Sequence, residues 1–353
     1  MRKVINSIII LVLLIGFTSC SNVNKTYQSN QPQTTPTVEV TPIPEDKTQS
    51  VAEVEDFSLI ITIPAPSLNS EFFQTPNDQP TLVILPPSYY DDTSRNYPVI
   101  YYLHGFGGNP IEANSFEMLS KDVMGKTGIG EFIVVSVNGR NSYQGSFFVN
   151  SPVSGNWEDY VIKDVIAYVD QNYRTISSKE SRGIMGFSMG GFGAINLAMR
   201  YPDVFSSVFA ICPGLFDENG LEAAFRSWDS GFKTAYGVAF SPDVNNETSA
   251  QIPKFDGSEA DNNIVDNWEN GYGNLKGKLS DYLAKADRLK GIQIDYSSRD
   301  QYAWIADGSI YFSELLNENN IEHVIYDFKG GHVNTDSIQN RVLPFFTEHL
   351  GTD

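Results

Sequence analysis

Short continuous apolar runs recur along the chain, and helical periodicities fall between them. Residues 98–103 read Pro-Val-Ile-Tyr-Tyr-Leu, with similar runs at 132–137, 183–187 and 205–211. Runs of this length, rich in β-branched and aromatic residues, predict strands covered on both faces. Further strands are predicted at 292–296 and 324–328. Between 159 and 173, Val161, Val165 and Val169 recur at i, i+4 and i+8, one buried stripe of a helix whose first turn carries Glu158 and Asp159. A second helix is predicted over 189–200, ending before Tyr201-Pro202. Strands alternating with helices predict an α/β fold, with a mostly parallel sheet and helices on both faces. The segments 57–63 and 81–85 predict an antiparallel edge.

The rhythm breaks twice. Residues 214–285 mix Phe216, Phe225, Trp228, Phe232, Tyr236, Trp268 and Tyr272 with many Asp, Asn and Gly. Such an insertion before the 292–296 strand either covers the end of the sheet or packs as solvated loops at its side. At the N-terminus, Arg2 and Lys3 precede an apolar run from Ile8 to Phe17, too short for a mature membrane helix and suited to a signal peptide. The run ends at Phe17-Thr18-Ser19-Cys20. Small residues before a cysteine resemble a bacterial lipobox, predicting cleavage after residue 19, lipidation of Cys20 and an exported, membrane-anchored protein; the alternative is a secreted chain. Residues 20–55 are rich in Thr, Pro, Gln, Ser and Asn and read as a disordered tether. The folded domain is then 56–353.

Composition narrows the partners. The 353 residues are 41% hydrophobic and carry a formal net charge of −19. No Lys/Arg cluster stands out, which argues against nucleic acid and leaves any membrane contact to the lipid. The two cysteines are Cys20 and Cys212, so a lipidated chain folds without an internal disulfide. Cys212 follows Val208-Phe209-Ala210-Ile211 and reads as a buried core thiol. The Asp/Asn-rich pieces 217–220 and 256–263 lack calcium-loop spacing, so no metal is expected.

Candidate chemistry centres on Gly186-Phe187-Ser188-Met189-Gly190-Gly191. A G-x-S-x-G pentapeptide between a strand and a helix is the context of a nucleophile elbow, exposing the Ser188 hydroxyl on a strained turn. That hydroxyl needs a base. Of His104, His323, His332 and His349, His332 is placed for catalysis, on the glycine loop Gly330-Gly331-His332 after the 324–328 strand, while His104 belongs to a separate motif. His323 and His349 read as surface residues. The acid belongs between Ser188 and His332 in chain order. Asp300 follows the 292–296 strand in a loop, whereas Asp295 lies within it. The acid's role would be to fix the imidazole tautomer. An oxyanion hole would use the backbone N–H groups of Phe106, in His104-Gly105-Phe106-Gly107-Gly108, and of Met189. His104 then holds the loop. Trp304 either walls the pocket or packs in the core.

Residues 97–108 (Tyr-Pro-Val-Ile-Tyr-Tyr-Leu-His-Gly-Phe-Gly-Gly), 150–160 (Asn-Ser-Pro-Val-Ser-Gly-Asn-Trp-Glu-Asp-Tyr), 172–175 (Asn-Tyr-Arg-Thr) and 186–191 together resemble the esterase D / antigen 85-like branch of the α/β-hydrolases, on its tributyrin and feruloyl esterase side. The resemblance spans about residues 57–350. It implies the α/β-hydrolase fold and serine ester hydrolysis through an acyl-enzyme, without a cofactor. The implied substrates are short-chain acyl esters or carbohydrate-linked acetyl and feruloyl esters. Acyl transfer to an alcohol is the alternative; a non-catalytic glycan-binding module is the other. Two positions depart from the family pattern. Ser297 replaces the glycine of its Asp-x-Gly-x-x-Asp stretch, and Val333-Asn334 stands where Asp-Trp often follows Gly-Gly-His.

Overall fold

The structure is a computed structural model and describes residues 57–68, 76–113, 123–246, 248–333 and 341–352. The expected signal peptide, the Cys20 anchor and the tether lie outside the described residues. Among those described, no helix is long and apolar enough to cross a membrane.

An eight-stranded sheet organises the chain. Its strands are β1 (Ser58–Pro64), β2 (Asp78–Ile84), β3 (Val99–Leu103), β4 (Ile133–Val137), β7 (Arg182–Phe187), β8 (Ser207–Ile211), β9 (Gly291–Tyr296) and β10 (Val324–Asp327). A two-residue ribbon, β5 (Asn150–Ser151) with β6 (Gly155–Asn156), stands apart. The order across the sheet is β1-β2-β4-β3-β7-β8-β9-β10. β1 pairs antiparallel with β2, and β2 with β4; every pair from β4 to β10 is parallel. The predicted antiparallel edge is therefore present, and its second strand starts three residues earlier than the apolar run suggests. The extension includes Gln79, a buried polar residue.

All five residues of β3, β4 and β8 are buried, because packed layers cover both faces. On one face lie Trp157, Tyr160, Val161, Val165 and Val169, with α2 (Met189–Arg200). On the other lie Val342, Leu343 and Phe346, the last two from α8 (Leu343–His349). The predicted 159–173 helix differs in detail. It opens as one α-turn at Trp157–Asp159, widens into a π-helical stretch at Tyr160–Val165 and closes as α1 (Ile166–Asn172). Its valine stripe is buried as predicted. Glu158 is also buried, accepting from Arg200 Nε at 3.1 Å and Nη2 at 3.0 Å and from the Tyr201 hydroxyl.

Residues 214–285 hold four helices: α3 (Gly220–Ser227), α4 (Ser230–Phe240), α5 (Glu259–Glu269) and α6 (Leu275–Leu283). Their aromatics join the main core. Tyr236 packs on Trp228, Trp268 and Tyr272, and its hydroxyl donates to the Trp268 carbonyl at 2.9 Å. After β9, α7 (Ala303–Glu318) leads to β10.

Candidate active site

The site is assembled at the C-terminal ends of β3, β7, β8, β9 and β10. Ser188 sits between β7 and α2 with φ 55° and ψ −116°. That conformation is costly for a residue with a side chain, and close packing enforces it. A Cβ at position 186 would lie 2.0 Å from the Gly190 carbonyl oxygen, and one at 190 would lie 2.0 Å from that of Leu103. Ser188 N–H donates to Ile211 O at 2.9 Å, and its carbonyl accepts from Gly214 N–H at 3.1 Å, so β8 and the turn after it hold the elbow.

His332, Asp300 and Ser188 form one chain of hydrogen bonds. His332 Nε2 lies 2.9 Å from Ser188 Oγ, and His332 Nδ1 lies 2.6 Å from Asp300 Oδ2. The Asp300 side chain is fully buried, and its Oδ1 accepts from Tyr302 N–H at 2.9 Å. A carboxylate on Nδ1 keeps the proton there, leaving Nε2 free to accept from the serine hydroxyl. Phe187 and Tyr302 flank the imidazole, with ring centroids at 4.9 and 5.3 Å. Asp295 lies elsewhere: its buried carboxylate accepts from Arg341 Nε at 2.8 Å and Nη2 at 3.1 Å. His323 and His349 are both half-buried rather than exposed. His323 bonds to Ser313 and Ile321 O, and His349 to Phe345 O, so neither reaches the site.

The loop after β3 follows from one peptide unit. Gly105 O accepts from Gly108 N–H at 3.0 Å and from His104 Nδ1–H at 2.8 Å. All peptide bonds here are trans, so fixing the Gly105 carbonyl points the Phe106 N–H the opposite way. His104 Nε2 accepts from Gly139 N–H at 2.9 Å. One ring nitrogen donates and the other accepts, so the ring is neutral, and burial holds its pKa below the ordinary histidine value. Gly107 is gripped from both sides: its N–H donates to Gln144 O at 3.0 Å and its carbonyl accepts from Arg140 Nη1 at 3.1 Å. Met189 is the first residue of α2, where N–H groups lack intrahelical acceptors.

A cavity of about 280 Å³ opens beside Ser188 and His332. Trp228, Phe232 and Tyr272 from the 214–285 segment line it, together with Phe106, Tyr302 and Trp304. Trp304 does both things foreseen for it, lining the cavity and stacking on Tyr272 at 5.9 Å. Two larger cavities, of about 750 and 570 Å³, are lined from α6 and its surroundings and include none of Ser188, Asp300 or His332.

Sequence reasoning missed Cys212 as a neighbour of the site. Its sulfur, a carboxylate oxygen of Asp300 and a ring nitrogen of His332 lie within 4.8 Å of one another. The neighbourhood follows from the sheet register, which the apolar runs do not encode. Ile211 on β8 pairs with Asp295 on β9, so the residues just beyond those ends meet.

Known proteins resemble the chain in sequence and in fold. The family described as "Putative esterase" matches residues 74–243. An esterase of Mycobacterium tuberculosis is 34% identical over 129 residues, 36% of this chain and 28% of that protein. An endo-1,4-beta-xylanase/feruloyl esterase of Xylanibacter ruminicola is 27% identical over 115 residues, 31% of this chain and 16% of that protein. The chain thus spans less than a third of either relative. Among solved structures, a ferulic acid esterase superposes with a TM-score of 0.58 at 21% identity, covering 83% of this chain and 98% of that one. A ferulic acid esterase of Anaeromyces mucronatus, in complex with ferulic acid, gives 0.55 at 17% identity, covering 87% and 96%. At that identity the likeness concerns the fold, which is that of the α/β-hydrolases.

Proposed function

Residues 74–243 make this chain a member of the "Putative esterase" family, and on that premise we propose that it is a serine carboxylic-ester hydrolase working through an acyl-enzyme on Ser188. The observation that carries the reading is the bond series from Asp300 through His332 to Ser188, at 2.6 and 2.9 Å. In the reaction, Ser188 Oγ attacks the ester carbonyl while His332 Nε2 takes the hydroxyl proton. The Phe106 and Met189 N–H groups hold the oxyanion. His332 returns the proton to the leaving alcohol. A water, deprotonated by the same imidazole, then releases the acid.

The 280 Å³ cavity with its aromatic walls favours a compact or planar acyl group. Short-chain acyl and carbohydrate-linked acetyl or feruloyl esters fit that description. The exported location, with anchoring through Cys20, belongs to the same proposal, since polymer-linked esters are met outside the cell. The test is hydrolysis of p-nitrophenyl acetate and methyl ferulate by the wild type and by Ser188→Ala. We expect the variant to lose at least about 10³-fold in kcat. Equal rates would end the reading. Adding an acceptor alcohol separates hydrolysis from acyl transfer: hydrolysis yields free acid, transfer a new ester.

A further inference from the structure

We propose that Cys212, Asp300 and His332 together form a binding site for a thiophilic divalent metal ion, and that the ion silences Ser188 when bound. The proposal rests on the reading of His332 as the base. Among the described residues, this trio of histidine, cysteine and carboxylate side chains converges with all three donor atoms within 4.8 Å. A tetrahedral ion with ligands at 2.0–2.3 Å wants its donor atoms roughly 3.5 Å apart, so the Nδ1–Oδ2 pair, now at 2.6 Å, opens by about an ångström and the sulfur, within 4.8 Å of both, closes to a similar distance. A thiolate, an imidazole and a carboxylate are a zinc-type ligand set, and the sulfur favours zinc or cadmium over magnesium or calcium. Cys212 and Asp300 are buried. An ion between them leaves its water behind and is compensated by the charge it meets.

The proton balance shows why binding blocks the serine. Burial and the neighbouring Asp300 carboxylate push the Cys212 thiol well above its ordinary pKa, so the metal-free thiol carries its proton. The arriving ion replaces that proton, which leaves to solvent. Coordination through Nδ1 takes the position now facing Asp300, and the imidazole proton moves from Nδ1 to Nε2. The ring then presents an N–H to Ser188 instead of a lone pair. The S–H and Nδ1–H bonds are exchanged for metal–sulfur and metal–nitrogen bonds, one proton going to solvent and the other to Nε2, and the Nδ1–H hydrogen bond to Asp300 is lost; nothing is oxidised, and the base is held in the tautomer that cannot accept. Because one proton is released, the ion binds more tightly as pH rises.

The experiment is titration of the full chain with CdCl₂ and with ZnCl₂ during p-nitrophenyl acetate hydrolysis, each protein measured against its own metal-free rate. We expect inhibition reversed by a chelator, with no effect of MgCl₂. The inhibitory midpoint rises about tenfold or more in Cys212→Ser and Cys212→Ala. An unchanged midpoint in both variants overturns the proposal, since the ion would then act without the sulfur. A second readout does not depend on catalysis. Cadmium added to Ser188→Ala gives the ultraviolet absorption of a cadmium–thiolate bond, and the Ser188→Ala/Cys212→Ser protein gives one equivalent less. Equal absorption from the two overturns the site even if esterase activity is present. A wild type that hydrolyses no ester, with the absorption difference intact, overturns the esterase reading and keeps the metal site.

Discussion

The Ser297 hydroxyl donates to the Gly330 carbonyl across 2.8 Å, tying the loop that carries Asp300 to the loop that carries His332. Ser297 is the residue that departs from the Asp-x-Gly-x-x-Asp pattern which the sequence resembles. It is buried, and its Oγ also accepts from Arg299 N–H at 3.1 Å. Its hydroxyl makes a cross-loop bond that a glycine at this position could not make.

Ser297→Ala removes the bond and leaves the Gly330 carbonyl without that donor. A hydrogen bond of this kind contributes about 1 kcal/mol. If it positions the acid against the base, kcat falls about fivefold with KM nearly unchanged. Steady-state kinetics on one activated ester measure both. A change confined to KM, or none, would place the bond outside catalysis.

In the proposed mechanism, His104 acts on the oxyanion through the Gly105–Phe106 peptide unit. Replacing it with alanine leaves the Gly105 carbonyl with the Gly108 N–H alone and loosens the Phe106 N–H. We expect a loss of about 10- to 100-fold in kcat, below the cost of deleting a donor outright. The buried ring is already neutral at ordinary pH. The acid limb of the pH–rate profile should therefore keep its midpoint in His104→Ala, because the neutral His104 ring takes no part in it. A shifted midpoint would show that His104 titrates in the working range.

Phe232 from α4 meets Phe106 edge-on at 4.7 Å and lines the cavity beside Ser188. Phe232→Ala enlarges the acyl space without touching the Ser188–His332–Asp300 series. For an aromatic acyl ester kcat/KM should drop about tenfold, while acetate esters change by less than about twofold. Equal losses on both substrates would mean that the cavity does not receive the acyl group.

Glu269 supplies a pH test of stability. Burial pushes its carboxyl up to about 7, Asp217 and Asp266 push the same way, and Lys278 opposes them. The folded chain therefore keeps a proton that the unfolded chain releases above about 4.3. The resulting stabilisation is complete below that value and is lost as pH rises toward 7. Glu269→Gln removes this dependence. At pH 8 it should be more stable than wild type by about 1 kcal/mol, a value discounted for partial exposure, or about 2–4 °C in Tm. At pH 4.5 the difference should vanish. A gap of the same size at both pH values would contradict the assignment.

The parts of this fold that could be read from sequence are those whose physics is local. β3 is a run of large apolar residues and β8 a mostly apolar one because both faces are covered, and α2 follows a serine turn that only small neighbours permit. Ser188, His332 and Asp300 could be singled out because each lies just after a strand end, where side chains of separate strands converge. The π-helical stretch at Tyr160–Val165 leaves no mark on an i, i+4 pattern. Helices α3 to α6 stayed hidden because their aromatics pack on one another and on the nucleophile helix, mixing polar and apolar positions without a clean period. Cys212 was read correctly as buried, but its neighbours come from strand register, which a single apolar run does not encode.

His332 is carried by β10, a strand of four residues at the edge of the sheet with Val324 and Tyr326 exposed. Ser188, by contrast, follows β7, which has a parallel strand on each side. Edges open at lower free energy than interior strands. Under gentle heating or denaturant the general base should leave before the serine does. The enzyme would then pass through a state that is still folded around its nucleophile and already inert, so loss of activity marks the fraying of one margin and precedes collapse of the whole domain.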